Sequence, residues 1–465
     1  MAVSVTVPVS TEVIEQNLDS KITGAYEDGR LVITLDTRNQ NHHQRLGLGY
    51  KVKLHFGQTR EYEAQELSGL SWPIVYRVIV QDGYYVDPHG QRVHFTTEAR
   101  GLDSRRGVSL VVMRAAILLL VVAGVGFRKG AFLLSHLFHV TLSKSALQRW
   151  VEEIAGELPD GDEMIRLLDE QKPIREAHFD ELFPKGRDVC VLVVKDEHGR
   201  IVVTQEVDKR DETSVKPLLE RLKTLGLKIE TFYIDGYKSY YNAIVSVFGK
   251  AVQIQYDYFH IIQNAWRTLW KWAVAHRRDI KARSEQVQTP WYKKKLETLA
   301  TSLWKNRYIL FKADERLSEE EKERLTQIVE ADEKVGTLRA FLGGIWHIFE
   351  DSQDEQEARA ALEQLKHQPV DRQKSEPFQK VITFLEDHFD WMTTFLQKEG
   401  VQRNSLAETG MRSLRRLEIA HDGFRSEKGR DNFLRIYQAV KYLGWTVHHP
   451  PSNLGNTGQN KWDTL

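Results

Sequence analysis

The chain is poor in the residues that staple or tether a fold. It holds one cysteine, Cys190, in 465 residues. A disulfide framework needs paired thiols and a Cys-rich zinc module needs several, so neither is expected, and the pattern fits a reducing, cytoplasmic compartment. No charge sign is in excess, since 65 Lys and Arg balance 65 Asp and Glu. Nucleic-acid binding by bulk positive charge is thereby excluded, whereas a locally basic face is not. No signal peptide is expected, because Met1 to Gln16 carries acidic residues and no apolar core segment. The long apolar run Val108 to Phe127 (VSLVVMRAAILLLVVAGVGF) is interrupted by Arg114. The 13 apolar or glycine residues left from Ala115 to Phe127 suit a buried core helix better than a membrane span. Internal repeats and low-complexity tracts are also missing.

What remains is ordinary globular composition, 41% hydrophobic and 28% charged, in a length that suits two to four domains. Residues 1–105 read as a small β-rich domain. LVITLD (31–36), YKVKLHF (50–56), PIVYRVIV (73–80) and QRVHFTT (91–97) alternate apolar and polar residues between turn residues such as Asp82-Gly83 and Pro88-His89-Gly90. Residues 106–160 read as a helical unit. An apolar helix runs to about Gly124 and a second covers about 129–138. A third follows a short turn, with Ser143 as N-cap and Leu147, Val151 and Ile154 as its buried stripe. Lys144, Gln148 and Arg149 then lie on the outer side, as in a DNA-binding helix-turn-helix; a plain three-helix bundle is the simpler alternative.

Residues 170–262 change style. Three strands at 174–179, 188–194 and 200–207 precede a helix, a strand at 229–234, a helix and a strand at 252–259, which predicts a mixed α/β sheet. Residues 263–400 are helical in pattern, residues 401–447 add one or two helices, and 448–465 form a Gly- and Asn-rich tail. Acidic residues fall where this sheet would end. Asp180 is expected at the end of the first strand and Asp235 directly after the apolar FYI of the fourth. Carboxylates at strand ends can converge on divalent cations through hard oxygen ligands. Each also has a plainer reading as a turn former or helix N-cap. A third candidate is Glu408, in RNSLAETGMRSLRRLE, where a helix would put Glu408, Arg412 and Arg416 on one face and Ala407, Met411 and Leu414 on a neighbouring apolar stripe. The plainer alternative there is a solvated Glu–Arg surface.

Three segments in this order carry a family resemblance: FDELFPKG (179–186); IDGYKSYYNAI (234–244), followed 22 residues after Asp235 by Asp257-Tyr258-Phe259-His260; and NSLAETGMRSLRRLEIAHDGFRSEKGRDNFLRI (404–436). Over residues 108–445 the chain resembles bacterial insertion-sequence DDE transposases, most closely the ISL3-like group. The resemblance implies an α/β fold: an RNase H-like mixed sheet interrupted by an all-α insertion domain, preceded here by the β-rich domain, to which recognition of the DNA ends would fall, and by the helix-turn-helix. It implies a triad of Asp180, Asp235 and Glu408 holding two Mg²⁺ or Mn²⁺ ions, with Glu181 as the alternative first carboxylate. Asp257 and His260 would support the site, or form a buried Asp–His pair. Arg412, Arg416 and Arg425 (of Gly423-Phe424-Arg425) would contact DNA. The implied activity is cleavage at the element's ends and joining of the 3′-OH to target DNA, by a homodimer on double-stranded DNA. An RNase H-like nuclease or resolvase and a non-catalytic DNA-binding derivative are the alternatives. Two features depart from the family pattern, the neutral net charge and the lack of a Cys-rich zinc module; His42, His43, His89 and His94 have no zinc-ligand spacing.

The helical segment is split by charge. Residues 261–312 hold 12 Lys and Arg against 3 Asp and Glu, and residues 313–363 hold 6 against 15. Trp266, Trp270, Trp272, Trp291 and Trp304 fall in the basic half, near Arg267, Arg277 and Arg278. Such a mixture suits DNA binding, although tryptophans at helical spacing are expected to be mostly buried.

Overall fold

The structure is a computed structural model and describes residues 11–68, 72–103, 105–184, 187–368, 376–403, 414–415, 418, 424 and 426–445. It divides into two units, one of residues 1–172, 183–188 and 412–465, the other of 173–182 and 189–411.

The first unit opens with α1 (Thr11–Glu15), β1 (Lys21–Glu27), β2 (Arg30–Asp36), α2 (His42–Arg45), β3 (His55–Glu66), β4 (Ile74–Val86), β5 (Arg92–Thr96), β6 (Leu102–Asp103) and β7 (Val108–Ser109). The strands form one sheet in the order β1-β2-β4-β3-β7-β6, with β5 pairing β4. Strand alternation builds its core: Ile74, Tyr76, Val78 and Val80 of β4 pack with Ile33, Leu35 and Val13. The strand expected at 50–56 begins only at His55 and runs on to Glu66. Lys51 and Lys53 are exposed while Val52 and Leu54 are only half-buried, so the alternation there has no core to serve.

Helices follow. α3 (Leu110–Ile117) passes into a π-helical turn at Leu118–Val122, then come α4 (Phe127–Phe138), α5 (Lys144–Glu157) and α6 (Gly161–Gln171). Arg114, which breaks the apolar run, pairs with Glu12 at 3.3 Å. No helix of the described residues is long and apolar enough to cross a membrane. α4 stops because His139 turns left-handed at φ +56°. α5 starts because the Ser143 hydroxyl accepts the Ala146 N–H at 3.0 Å. Leu147, Val151 and Ile154 are buried, whereas Lys144, Gln148 and Arg149 are exposed. The C-terminal helix Glu427–Lys441 packs on α5 and α6, and its Arg435 donates to the Pro159 carbonyl at 3.2 Å.

The second unit runs through β8 (Glu176–Leu182), β9 (Cys190–Lys195), β10 (Ile201–Val207), α7 (Glu212–Thr224), β11 (Thr231–Ile234), α8 (Lys238–Phe248) and β12 (Gln253–Tyr256). Their sheet has the order β10-β9-β8-β11-β12. β8, β9 and β10 are mutually antiparallel, while β8, β11 and β12 are parallel. β9 is buried at every residue, which is why CVLVV (190–194) reads as a continuous apolar run.

After β12 the described elements are helical: α9 (Tyr258–Gln286), α10 (Pro290–Lys305), α11 (Glu319–Ala331), α12 (Glu333–Trp346), α13 (Glu355–Lys366), α14 (Glu376–Met392) and α15 (Thr394–Gln397), with short 3₁₀ and π turns between them. One apolar core runs from Tyr256 to Met392. The end of this helical segment is tied back to the sheet. The fully buried Gln255 side chain donates to the Met392 carbonyl at 3.1 Å and accepts the Phe395 N–H at 2.9 Å, and the Thr394 hydroxyl donates to the Ile254 carbonyl at 2.6 Å.

Candidate active site

The parallel pairing of β8 with β11 sets the site. Thr231 lies opposite Glu176, Phe232 opposite Ala177 and Tyr233 opposite His178. Two further steps along the same register bring Asp235 level with Asp180. Asp180 is inside β8 rather than at its end, because β8 continues to Leu182. The β11–β12 register, in which Ile234 faces Tyr256, brings Asp257 level with Asp235 in one step.

Asp235 sits in the turn after β11. Gly236 takes φ +86°, and a Cβ there would lie 1.8 Å from Cζ of Tyr256. Only glycine fits both the left-handed backbone and the approaching ring. The Oδ1 of Asp235 is buried and has no hydrogen-bond partner among the described residues. Burial, then the neighbouring Glu181 and Asp180 carboxylates, push the Asp235 pKa up from 3.8 to about 8. Carboxylate oxygens are the donors that could hold a divalent cation here.

Asp180 and Glu181 alternate across β8. Glu181 is already satisfied: it accepts from the Arg210 guanidinium at 2.8 Å and from the Tyr240 hydroxyl. Arg210 also lies 4.4 Å over the Tyr237 ring and donates to its hydroxyl. Asp180 Oδ1 accepts the Glu181 N–H at 2.6 Å. Asp257 is buried and caps α9 by accepting the Phe259 N–H at 2.9 Å, while His260 is half-buried in the first turn of that helix. Arg210, Tyr237 and Tyr240 drew no notice in the sequence. The tyrosines fall inside IDGYKSYYNAI, but Arg210 lies in a charged loop without any periodic signal.

Glu408, Arg412, Arg416 and Arg425 lie outside the described residues. The chain approaching Glu408 is fixed as far as Arg403. The Gln402 N–H donates to the Tyr233 hydroxyl at 2.9 Å, and Arg403 donates to the Phe349 carbonyl at 3.0 Å while lying 4.5 Å over the Tyr258 ring. Among the described residues no three His, Cys, Asp or Glu side chains form a metal-binding group.

The expectation of mostly buried tryptophans in the basic half is overturned. Trp272 is buried and Trp270 half-buried, but Trp266, Trp291 and Trp304 are exposed. Their helices present these positions outward, and basic side chains accompany one of them: Arg277 lies 4.8 Å and Arg307 4.4 Å over the Trp304 ring. Arg267 and Arg278 are exposed on α9, and Arg277 is half-buried with its Nε donating to the Ala300 carbonyl at 3.2 Å.

Among known families, a model described as transposase matches residues 179–428, more than half of the chain. The chain belongs to the ISL3 group of DDE transposases. No curated protein matches this transposase. Among solved structures, the Drosophila P element transposase strand transfer complex is similar at 15% identity and a TM-score of 0.37, over 78% of this chain and 95% of that one.

Proposed function

We propose that this transposase cuts DNA at the ends of its mobile element and joins the freed 3′-OH to target DNA, using Asp180, Asp235 and Glu408 to hold two Mg²⁺ or Mn²⁺ ions. The observation that carries this reading is the pair of neighbouring parallel strands with Asp235 level with Asp180, together with the buried Oδ1 of Asp235, which has no hydrogen-bond partner among the described residues. Oxygen donors of this kind suit hard divalent cations. When bound, such ions lower the pKa of a coordinated water and stabilise charge on the attacking and leaving oxygens of an in-line displacement.

The remaining work belongs to the chain. Glu181, satisfied by Arg210 and Tyr240, anchors β8 against α8 and keeps Asp180 at a fixed position. The Asp235-Gly236 turn packs Gly236 against the Tyr256 ring and so fixes the position of Asp235. The strand order β10-β9-β8-β11-β12, three antiparallel strands and then two parallel ones, supports an RNase H-like core (170–262, closed by 401–447), with 263–400 as its helical insertion. The exposed Lys144, Gln148 and Arg149 of α5 support a helix-turn-helix (106–160) that reads duplex DNA. Exposed Arg267 and Arg278, with Arg277 beside Trp304, support DNA contacts from the insertion. Asp257 and His260 act as positioning residues at the head of α9. Two element ends must be held together, so the working form is a homodimer on DNA.

The test is a plasmid carrying the gene's own flanking DNA, incubated with protein and Mn²⁺. New 3′ ends at defined flanking repeats, absent with Asp235→Asn, are expected. Equal cleavage by the two proteins would remove Asp235 from the site, and binding without cleavage by either would leave a non-catalytic DNA-binding protein.

A further inference from the structure

The outer part of the first sheet carries a surface with no role so far. Here β3, β4 and β5 form a three-stranded antiparallel ribbon in which His55, Tyr84 and His94 share one register row. The His55 ring stacks on Tyr84 at 4.8 Å and 8°, the His94 ring lies 5.7 Å from it, and the Arg92 guanidinium sits 5.1 Å over it. Alternation sends the neighbouring residues to the other side of the ribbon. There Phe95 packs edge-on against Phe56 and covers Gly83, where a Cβ would meet it at 2.5 Å. One side of the ribbon is an aromatic underlay that stiffens it, and the other is a row of flat, polar-edged rings.

The charges of this region are sorted. Residues 41–60 and 81–97 contain five Lys and Arg, two Asp and no Glu, with five of the chain's 17 histidines. Both acids are consumed internally. Asp82 accepts from Arg60 at 2.6 Å and from the Thr96 hydroxyl at 2.8 Å, and Asp87 accepts the N–H groups of His89 and Gln91, closing the β4–β5 turn. Arg45 pairs with Asp19. Lys51, Lys53 and Arg92 are exposed and form no ion pair among the described residues. The tip therefore presents net positive charge although the whole chain is neutral.

We infer that this ribbon is a duplex-DNA-binding surface. Arg92, Lys51 and Lys53 contact backbone phosphates, and the His55–Tyr84–His94 row faces the groove. A β-ribbon fits the major groove, and a guanidinium resting on an aromatic ring is held in place with its N–H edge still available to a phosphate. The inference rests on the reading of the chain as a DNA transposase and gives its N-terminal domain a task in holding DNA.

The experiment measures binding of the full chain to a mixed-sequence duplex over a range of salt concentrations. Wild type is compared with Arg92→Glu and with Lys51→Glu/Lys53→Glu, and melting curves confirm folding. Arg92→Glu is expected to lower affinity about tenfold and to reduce the slope of log K against log salt by about one. Arg92→Lys should restore the slope. The lysine pair, outside any strand, should give the same direction of change by a route independent of the Tyr84 contact. Wild-type affinity and salt slope in both charge-reversed variants would overturn the inference while leaving the transposase reading intact, since α5 and the insertion would then carry the binding. Competition by an acidic polypeptide but not by DNA would assign the ribbon to a protein partner and also overturn it. Absence of any duplex binding by wild type would sink both readings together.

Discussion

The two sheets of this protein handle charge in opposite ways. In the sheet built from β8 to β12 a carboxylate is left unmet: Asp235 is buried beside Glu181 and Asp180 with an oxygen that has no partner among the described residues, while Glu181 takes Arg210 and Tyr240 for itself. In the ribbon of the first sheet the acids are met and three bases are not: Asp82 is neutralised by Arg60, whereas Lys51, Lys53 and Arg92 form no ion pair among the described residues. Unmet charge is costly inside and cheap outside. On the readings proposed above, the unmet charge awaits a cation in the first case and a polyanion in the second.

The largest effect that could break the comparison comes from Asp235→Asn. Cleavage should fall by about a thousandfold or more, the scale on which lost transition-state electrostatics is felt. The same change should raise the melting temperature of metal-free protein near neutral pH. The folded-state pKa of Asp235 is raised from 3.8 to about 8, so its favourable contribution is complete below pH 3.8 and is lost as pH climbs through 8. The variant's advantage should therefore grow across that window and vanish at low pH, and melting curves at several pH values would read it. A flat difference would mean that Asp235 is neither desolvated nor held among like charges.

Gly236→Ala comes next. The left-handed backbone and the Tyr256 ring both oppose a side chain, and a loss of about 3 kcal/mol or more in denaturant unfolding is expected. Arg210→Ala would leave the buried Glu181 held, among the described residues, by the Tyr240 hydroxyl. Because Arg210 itself is 36% exposed, the cost is set at about 2 kcal/mol, below that of a fully buried pair. Unchanged stability would mean that Glu181 relaxes toward solvent. The smallest effect belongs to the ribbon. The Thr96 hydroxyl and the Arg60 guanidinium hold Asp82 below the usual carboxylate range, so Asp82→Asn would free one more cation. Duplex affinity should rise about two- to threefold with a steeper salt slope, and a fall would place Asp82 itself at the DNA.

Much of the architecture was legible beforehand. The Ser143 cap and the Leu147–Val151–Ile154 stripe give α5, the alternation of PIVYRVIV gives most of β4, and the order of apolar runs after residue 174 gives the five-stranded sheet. Asp180 and Asp235 were legible as candidates because strand ends are readable from apolar runs. The extension of β8 past Asp180 was not, since Glu181 and Asp180 look like a turn until Arg210 and Tyr240 supply partners for a buried Glu. Nor was the outward placement of Trp266, Trp291 and Trp304, because an aromatic on a helix can face either way with the same spacing.

The sequence by itself determined the periodic elements, their order and the residue types available to each site, because caps and apolar spacing act over one or two turns of chain. Only the tertiary structure decided which charges cancel. Arg210 meets Glu181 across 29 residues, Tyr240 meets it across 59, and Arg60 meets Asp82 across 22. Strand pairing chooses those partners, and Coulomb energy falls off too steeply with distance and solvent for sequence proximity to stand in for it.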